Sequence, residues 1–165
     1  MTTLRTKEKT NEPAWLLDKR RAATDSYKSA SAPDRVSHLW KYTDPSIFLP
    51  ELNELKSGES KIDFSIDNQS LKEGVVLLEI NSAMKEKSNL LANYFDRLTS
   101  KELNKVNLLN EALWSTGYFL YVPKGVKIEK PVVVKSSVSS ALEARRILII
   151  LEEGSSINLI DENLS

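Results

Sequence analysis

The chain of 165 residues contains no cysteine and a single histidine, His38. Without cysteine no disulfide bond can form, which excludes a secreted scaffold held together by disulfides. Structural zinc sites and conventional iron–sulfur centres take several Cys or His ligands. The sequence therefore predicts that this chain alone holds no metal and no cofactor. Because His38 is followed by Leu39 and Trp40, we expect it to be packed or to lie at a rim, not to be a ligand.

The chain also lacks a net charge and any long apolar run. Its 23 Lys and Arg residues balance 23 Asp and Glu residues, so charge provides no long-range attraction to nucleic acid or to anionic lipid. The longest strongly apolar run, Ile147–Leu151, is far too short to span a membrane. The N-terminal region has no apolar signal-peptide core. We predict a soluble cytoplasmic protein with neither nucleic acid nor membrane among its partners.

A repeat is present near the end of the chain. Tyr118–Ile128 and Ile147–Ile157 each contain an apolar run, two turn residues, a glycine and a resumed apolar alternation. Gly125 and Gly154 are 29 residues apart. The same offset aligns four apolar pairs: Leu120 with Ile149, Tyr121 with Ile150, Val122 with Leu151, and Ile128 with Ile157. A fixed period of this size indicates stacked β-repeats, and glycine suits the turn because it adopts positive φ without steric cost.

Two repeats are too few for a stable stack. Each repeat buries its apolar face only against a neighbour, so roughly three are needed, and the terminal ones usually carry a polar cap. The last residues, Asp161–Ser165, do not have the pattern of a cap. The sequence therefore predicts the front portion of a longer β-helical protein.

The chain as a whole is predicted to have an α+β fold, in which helices and short strands lead into the first rungs of a β-helix. Residues 1–10 are polar and predicted to be a mobile arm. Residues 11–115 are predicted to form an α/β region. Residues 116–165 are predicted to form the first rungs, because the apolar period changes from helical to strand-like at Gly117.

Several elements are predicted within residues 11–115. A helix is expected to start at Asn11–Pro13. Its apolar side would hold Trp15, Leu16, Ala22, Ala23 and Tyr27, and its other side Asp18, Lys19, Arg20 and Arg21. Strands are expected at Lys61–Ile66 and Gly74–Ile80, separated by a break at Asp67–Ser70. A helix capped by Asn81 or Ser82 would carry Met84, Leu91, Phe95 and Leu98 on one side, and a capping box at Thr99–Glu102 would start the next helix.

Four stretches of the chain resemble segments of one protein family. Asn110–Val133 resembles the segment that enters the β-helix of the SufB/SufD family, which takes part in iron–sulfur cluster assembly. Asn11–Ala22 resembles the leading helix of that family, and Arg146–Ser156 is similar to the next rung of its solenoid. Leu39–Asp44 looks like an aromatic motif more typical of SufD than of SufB.

The resemblance implies a scaffold subunit, SufD-like, that works through protein–protein contacts. In this family SufD pairs with SufB, and the ATPase SufC docks on the C-terminal segments of both. The family residues linked to cluster building lie late in the β-helices and have no counterpart in this sequence, so no functional residue carries over. The resemblance thus implies SufB-like and SufC-like partners, with an iron–sulfur cluster only in the full complex.

No active site is predicted. Lys124-Gly125 lacks the rest of a phosphate-binding loop, and Glu152-Glu153 on a turn should face water instead of forming an acid/base pair. We therefore expect no enzymatic activity from this region. Trp15 and Trp114 should be core residues, whereas Trp40 is a candidate interface anchor.

Two other functions are compatible with a β-helix. A polysaccharide-acting enzyme would need clustered carboxylates and a basic residue on one face of several rungs, and no such cluster is evident. A self-associating module would pair through the open last rung, near Ile147–Ile160, because unpaired strand edges with apolar surface favour pairing. The candidate partner interface, for another subunit or a second copy, comprises Trp40, Tyr42, Ile147, Ile149, Ile157 and Leu159.

Overall fold

The computed structural model describes residues 12–34, 36, 40–49, 60–98, 104–138 and 143–164. The predicted arm at 1–10, His38 and the predicted capping box at Thr99–Glu102 lie outside the described residues. The helices are α1 (Ala14–Ser29), α2 (Asn68–Lys72), α3 (Ile80–Glu86), α4 (Ser88–Tyr94) and α5 (Lys105–Leu113), with a 3-10 turn at Pro45–Phe48. The strands are β1 (Lys61–Ser65), β2 (Val76–Glu79), β3 (Thr116–Val122), β4 (Val132–Ser137), β5 (Arg145–Leu151) and β6 (Leu159–Leu164). The predicted α+β class is confirmed.

The chain forms two compact units. The first unit comprises Met1–Leu55 and Lys87–Trp114, and the second comprises Lys56–Glu86 and Ser115–Ser165. The strands β1 and β2 join the second unit because they pair with strands that follow residue 115. The predicted domain limits, 11–115 and 116–165, stay a prediction.

In the first unit, α1 packs against α5. Ala23 and Tyr27 of α1 form one buried cluster with Leu108, Leu109 and Ala112 of α5. This packing follows from the helical period, which brings residues three, four and seven apart to one face. Leu16 belongs to the buried face as predicted, but Ala22 is exposed.

Arg20 also lies on the buried face of α1, and the prediction that it occupies the solvated side is wrong. The residue is only 8% exposed. Its position follows from helical spacing, since Arg20 comes four residues after Leu16 and three before Ala23. A charged side chain tolerates such burial only when its polar groups are paired.

The predicted single helix from Asn81 to Leu98 is two short helices, α3 and α4. The chain leaves helical geometry at Lys87, whose φ is −128° and ψ 26°. Because α3 begins at Ile80 directly after β2, Asn81 lies inside the first turn and does not cap it. Leu98, predicted on the apolar side, is fully exposed. The last helix, α5, is capped by Asn104, whose side chain accepts a hydrogen bond from the Asn107 N–H.

The described strands of the second unit form two three-stranded sheets, ordered β1-β4-β6 and β2-β3-β5. The pairs β1/β4 and β2/β3 are antiparallel, whereas β3/β5 and β4/β6 are parallel. The β3/β5 register sets Leu120 against Ile149 and Val122 against Leu151. The predicted 29-residue register is therefore confirmed for these strands. At the predicted break between β1 and β2, Asp67 caps the short helix α2.

The core of the second unit is built from alternate residues of its strands. β3 contributes Tyr118, Leu120 and Val122, and β4 contributes Val132 and Val134. Val75, Leu77 and Ile128 complete the cluster. In the described part of the chain, no helix combines the length and the hydropathy needed to cross a bilayer.

Candidate partner interface

The two glycine turns of the repeat stack on each other. Gly125 and Gly154 have φ of 75° and 73°, the positive values for which glycine was predicted. The Gly125 N–H donates to the Glu153 carbonyl at 3.0 Å, and the Lys124 N–H donates to the Glu152 carboxylate at 3.0 Å. The Lys124 ammonium forms an ion pair with the Glu153 carboxylate. The two glutamates are thus engaged by the preceding turn instead of facing each other.

The β5 residues that lie beside the buried core residues of β3 in the sheet are exposed. Tyr118 is 1% exposed, and both Leu120 and Val122 are 0% exposed. One repeat later, Ile147 is 41%, Ile149 39% and Leu151 47% exposed. These three residues, the β5 row, follow Tyr118, Leu120 and Val122 in register, and therefore lie on the same face of the sheet. Their apolar surface is what a further layer of structure would cover.

Two more predicted interface residues lie close to the same core. Ile157 and Leu159 are half-buried and pack against the core cluster of the second unit. Leu159 follows Val132 in the parallel β4/β6 register. The structure thus places Ile147, Ile149, Ile157 and Leu159 in one unit, and of these four Ile157 and Leu159 pack against its core. Leu151 was missed, although the 29-residue offset already aligned it with Val122.

Polar side chains are hydrogen-bonded to each other near the start of β5 and along β6. The Tyr118 hydroxyl donates to the Asp161 carboxylate at 3.0 Å, and the Ser136 hydroxyl donates to the Asn163 side-chain oxygen at 2.8 Å. Arg145 also donates to that oxygen of Asn163. Burial raises the pKa of the Tyr118 hydroxyl well above its usual range, and the neighbouring Asp161 carboxylate raises it further. These bonds fix the ends of β5 and β6 relative to β3 and β4.

Trp40 and Tyr42 belong to the first unit. Trp40 is half-buried and packs edge-on against Phe48, with ring centroids 6.0 Å apart. Tyr42 is 88% exposed, with the Lys41 ammonium 5.3 Å from its ring centroid. Their role as interface residues stays a prediction.

Of the two tryptophans predicted to be core residues, Trp114 is buried and Trp15 is half-buried. Trp114 is 1% exposed, and its ring and that of Trp15 both contact Phe95. The guanidinium carbon of Arg20 lies 4.2 Å from the centroid of the Trp114 ring. Its nitrogens donate to the carbonyls of Ala112 and Trp114 at 3.0 and 2.8 Å.

Arg20 also forms an ion pair with Glu12, with Nε 2.9 Å from a carboxylate oxygen. The side chains of both partners are only 10% exposed. Helix α5 ends at Leu113, so the Ala112 carbonyl and that of Trp114, just past the end, have no partner within the helix. Arg20 therefore holds the end of α5 against α1, which is a structural role.

No metal centre was found among the residues that the structure describes: no three of their His, Cys, Asp and Glu side chains lie close enough to hold an ion. The surface instead offers what strand pairing requires. Among the described strands, β5 and β6 each lie at one edge of their sheets, with β2 and β1 at the opposite edges, and β5 also carries an exposed apolar row. Such an edge is suited to bind another strand.

The comparisons with known proteins agree on one family. A family model described as the SufBD protein N-terminal region matches residues 57–134. Over 145 residues the chain is 29% identical to the iron–sulfur cluster assembly protein SufB of Bacillus subtilis, an alignment that covers 82% of this chain and 31% of that protein. Over 106 residues it is 34% identical to an iron–sulfur cluster assembly SufBD family protein of Staphylococcus haemolyticus, covering 62% of this chain. A relative in Staphylococcus saprophyticus is 32% identical over the same length, and the chain covers 23% of each staphylococcal protein.

Proposed function

Since the chain belongs to the SufB/SufD family, we propose that it is part of a scaffold subunit of an iron–sulfur cluster assembly complex. It acts by binding other proteins, and this region performs no catalysis. The observation that carries the proposal is the β5 row, which continues a fully buried core and is itself about two-fifths exposed. Exposed apolar surface of this kind marks a site where another polypeptide segment packs.

The proposed architecture is the start of a β-helix. The strands β3 and β4, followed by β5 and β6, are its first two coils. The parallel pairs β3/β5 and β4/β6 and the stacked turns at Gly125 and Gly154 support this reading, because each coil of a solenoid repeats the backbone path of the coil before it.

The proposed partners are a SufB-like subunit and a SufC-like ATPase, and the iron–sulfur cluster is the cargo of the whole complex. The assignment as SufD-like rests on the motif at Leu39–Asp44, whereas the curated relative that aligns over most of the chain carries the name SufB. A cytoplasmic location is part of the same proposal.

Affinity capture from the native host tests the scaffold role. The tagged protein should recover both a SufB-like and a SufC-like polypeptide, identified by mass spectrometry. Recovery of neither would refute the scaffold proposal.

A variant pair tests where the partner packs. Ile149→Lys places a charge in the β5 row and should abolish capture of the SufB-like polypeptide. Leu71→Lys is the matched control, since Leu71 is 44% exposed and lies on α2, outside the row. If both variants capture the partner equally, the scaffold role survives but the β5 row is not the contact.

A second candidate is self-association through the edge of β5. The observation that favours it is the same exposed row together with the charges at the two ends of the strand.

A further inference from the structure

The segment Lys61–Glu79, from β1 to β2, follows the path of the first coil in the opposite direction. β1 pairs antiparallel with β4, and β2 pairs antiparallel with β3. The first coil passes through β3 before β4, whereas this segment runs along β4 before it runs along β3. We propose that the segment is a reversed coil that caps the front end of the stack, which is the side of the first coil that faces away from β5 and β6, and that it prevents association through that end. This inference rests on the β-helical architecture proposed above and does not depend on the assembly role.

The connection between β1 and β2 also follows the corner of the first coil, which joins β3 to β4. Gly74, close to the start of β2, lies against that corner, since a Cβ added there would be 3.3 Å from Cγ of Pro123. At the other end of the connection, the pKa of the Asp67 carboxyl is lowered by hydrogen bonds from Ser70 and, more weakly, by the charge of Lys130. Pro123 and Lys130 both lie between β3 and β4 in the chain. The match between the segment and the first coil thus extends over two strands and the corner that joins them.

The reversed coil covers the apolar interior of the first coil. Five of its apolar residues belong to the core cluster of the second unit or pack against it: Ile62, Phe64, Ile66, Val75 and Leu77. The Phe64 ring packs edge-on against that of Tyr118, with ring centroids 6.3 Å apart. Val134, which faces Phe64 across the β1/β4 pair, is 0% exposed. The reversed coil therefore supplies the third layer that two forward coils lack for a stable stack.

The outer edge of the reversed coil is poorly suited to pair with another strand. β1 has only five residues and β2 only four. Lys61 and Asp63 place charged side chains on the exposed face of β1. Short strands and charged side chains are two of the ways in which natural sheets prevent edge-to-edge pairing. The segment thus buries the interior on one side and presents an unreactive edge on the other, as a cap must.

Disulfide cross-linking tests the direction of the reversed coil, and the chain has no native cysteine to interfere. Lys61 faces Ser137 in the antiparallel register, and facing Cα atoms lie about 4.5–5.5 Å apart, within disulfide range. The double variant Lys61→Cys/Ser137→Cys should therefore form an intramolecular disulfide under mild oxidation. Ser65→Cys/Ser137→Cys is the matched control, because a forward coil would bring Ser65 instead of Lys61 close to Ser137. Equal or greater cross-linking of the control pair would overturn the reversed direction.

Sedimentation of the purified chain tests whether the reversed coil blocks association. Phe64→Lys places a charge on the inward face of β1 and should detach the coil, which exposes the apolar front end. This variant should sediment as larger species than the unchanged chain at the same concentration, and it should bind an apolar fluorescent dye. Ser65→Lys is the matched control and should behave as the unchanged chain does, since Ser65 lies next to Phe64 but on the exposed face of β1.

If Phe64→Lys is folded and its sedimentation and dye binding equal those of the control, the segment is not a cap. If circular dichroism shows that Phe64→Lys is unfolded, Ile62→Ala, a milder change on the same face of β1, takes its place in the comparison. No partner protein is present in either experiment. A negative result here therefore leaves the scaffold role, which is tested by affinity capture, unaffected.

Discussion

Replacing Gly117 by alanine should disrupt the β3/β5 stack. A Cβ at Gly117 would lie 1.8 Å from the Arg146 carbonyl oxygen, whereas even close carbon–oxygen contacts are about 3.3 Å. Strand β5 would have to move by about 1.5 Å, which exceeds the tolerance of backbone hydrogen bonds. Each bond lost costs about 1 kcal/mol, and φ of 133° adds about 1–3 kcal/mol of strain for a residue with a side chain. We expect a loss of about 4 kcal/mol or more, a large share of a typical domain's stability.

Gly125→Ala is the matched control for this measurement. Gly125 also has positive φ, 75°, but no heavy atom lies within 4 Å of the added Cβ. Its cost should be backbone strain alone, about 1–2 kcal/mol. Urea denaturation followed by circular dichroism gives both free energies of unfolding. If Gly117→Ala is no more destabilising than Gly125→Ala, the close approach of β3 and β5 is not a real feature of the folded protein.

Three further predictions concern single side chains. Arg20→Met should lower the free energy of unfolding by about 3 kcal/mol or more, because it leaves Glu12 buried without its partner. The control is Arg21→Met, since the Arg21 side chain is 66% exposed. This variant should change the free energy of unfolding by less than about 0.5 kcal/mol in the same urea assay. Tyr118→Phe removes the 3.0 Å hydrogen bond to Asp161 and should cost about 1 kcal/mol by thermal unfolding; an unchanged melting temperature would contradict the bond. The Ser70 hydroxyl and N–H lower the pKa of the Asp67 carboxyl below its usual 3.8. The ionised Asp67 carboxylate therefore stabilises the fold above that usual value, and this stabilisation is lost as the pH falls through the lowered pKa. In the Asp67→Asn variant the urea midpoint should therefore fall less than in the unchanged protein as the pH is lowered from 5 into the acid range. An identical pH profile in the two proteins would argue against the cap.

The repeat in the second unit could be read from the sequence because it depends on local signals. A glycine at each turn and a constant offset were enough to align β3 with β5 in the correct register. The β4/β6 register could not be read in the same way. Its offset is 27 residues, from Val132 to Leu159, because the second coil is two residues shorter between the turn and the strand. No glycine marks that difference.

Other features depend on partners distant in the chain, and pattern alone could not reveal them. Arg20 is buried because the carbonyls at the end of α5, about ninety residues later, accept its hydrogen bonds. From the helix pattern alone, an arginine is predicted to be exposed to solvent. Similarly, β1 was predicted as a strand, but its pairing with β4 joins residues about seventy positions apart. For the candidate interface, the exposure of the β5 row became evident only once the row could be compared with the buried residues of β3.

Hydrogen exchange at residues 147–151, measured on the protein alone and on the protein captured with its partners, tests most directly whether the β5 row is a contact surface. Because the β5 row is proposed to be covered when the protein functions, these backbone amides should exchange at least about tenfold more slowly in the assembled state. Equal exchange in both states, with full assembly verified by mass, would show that the row is not where another polypeptide binds.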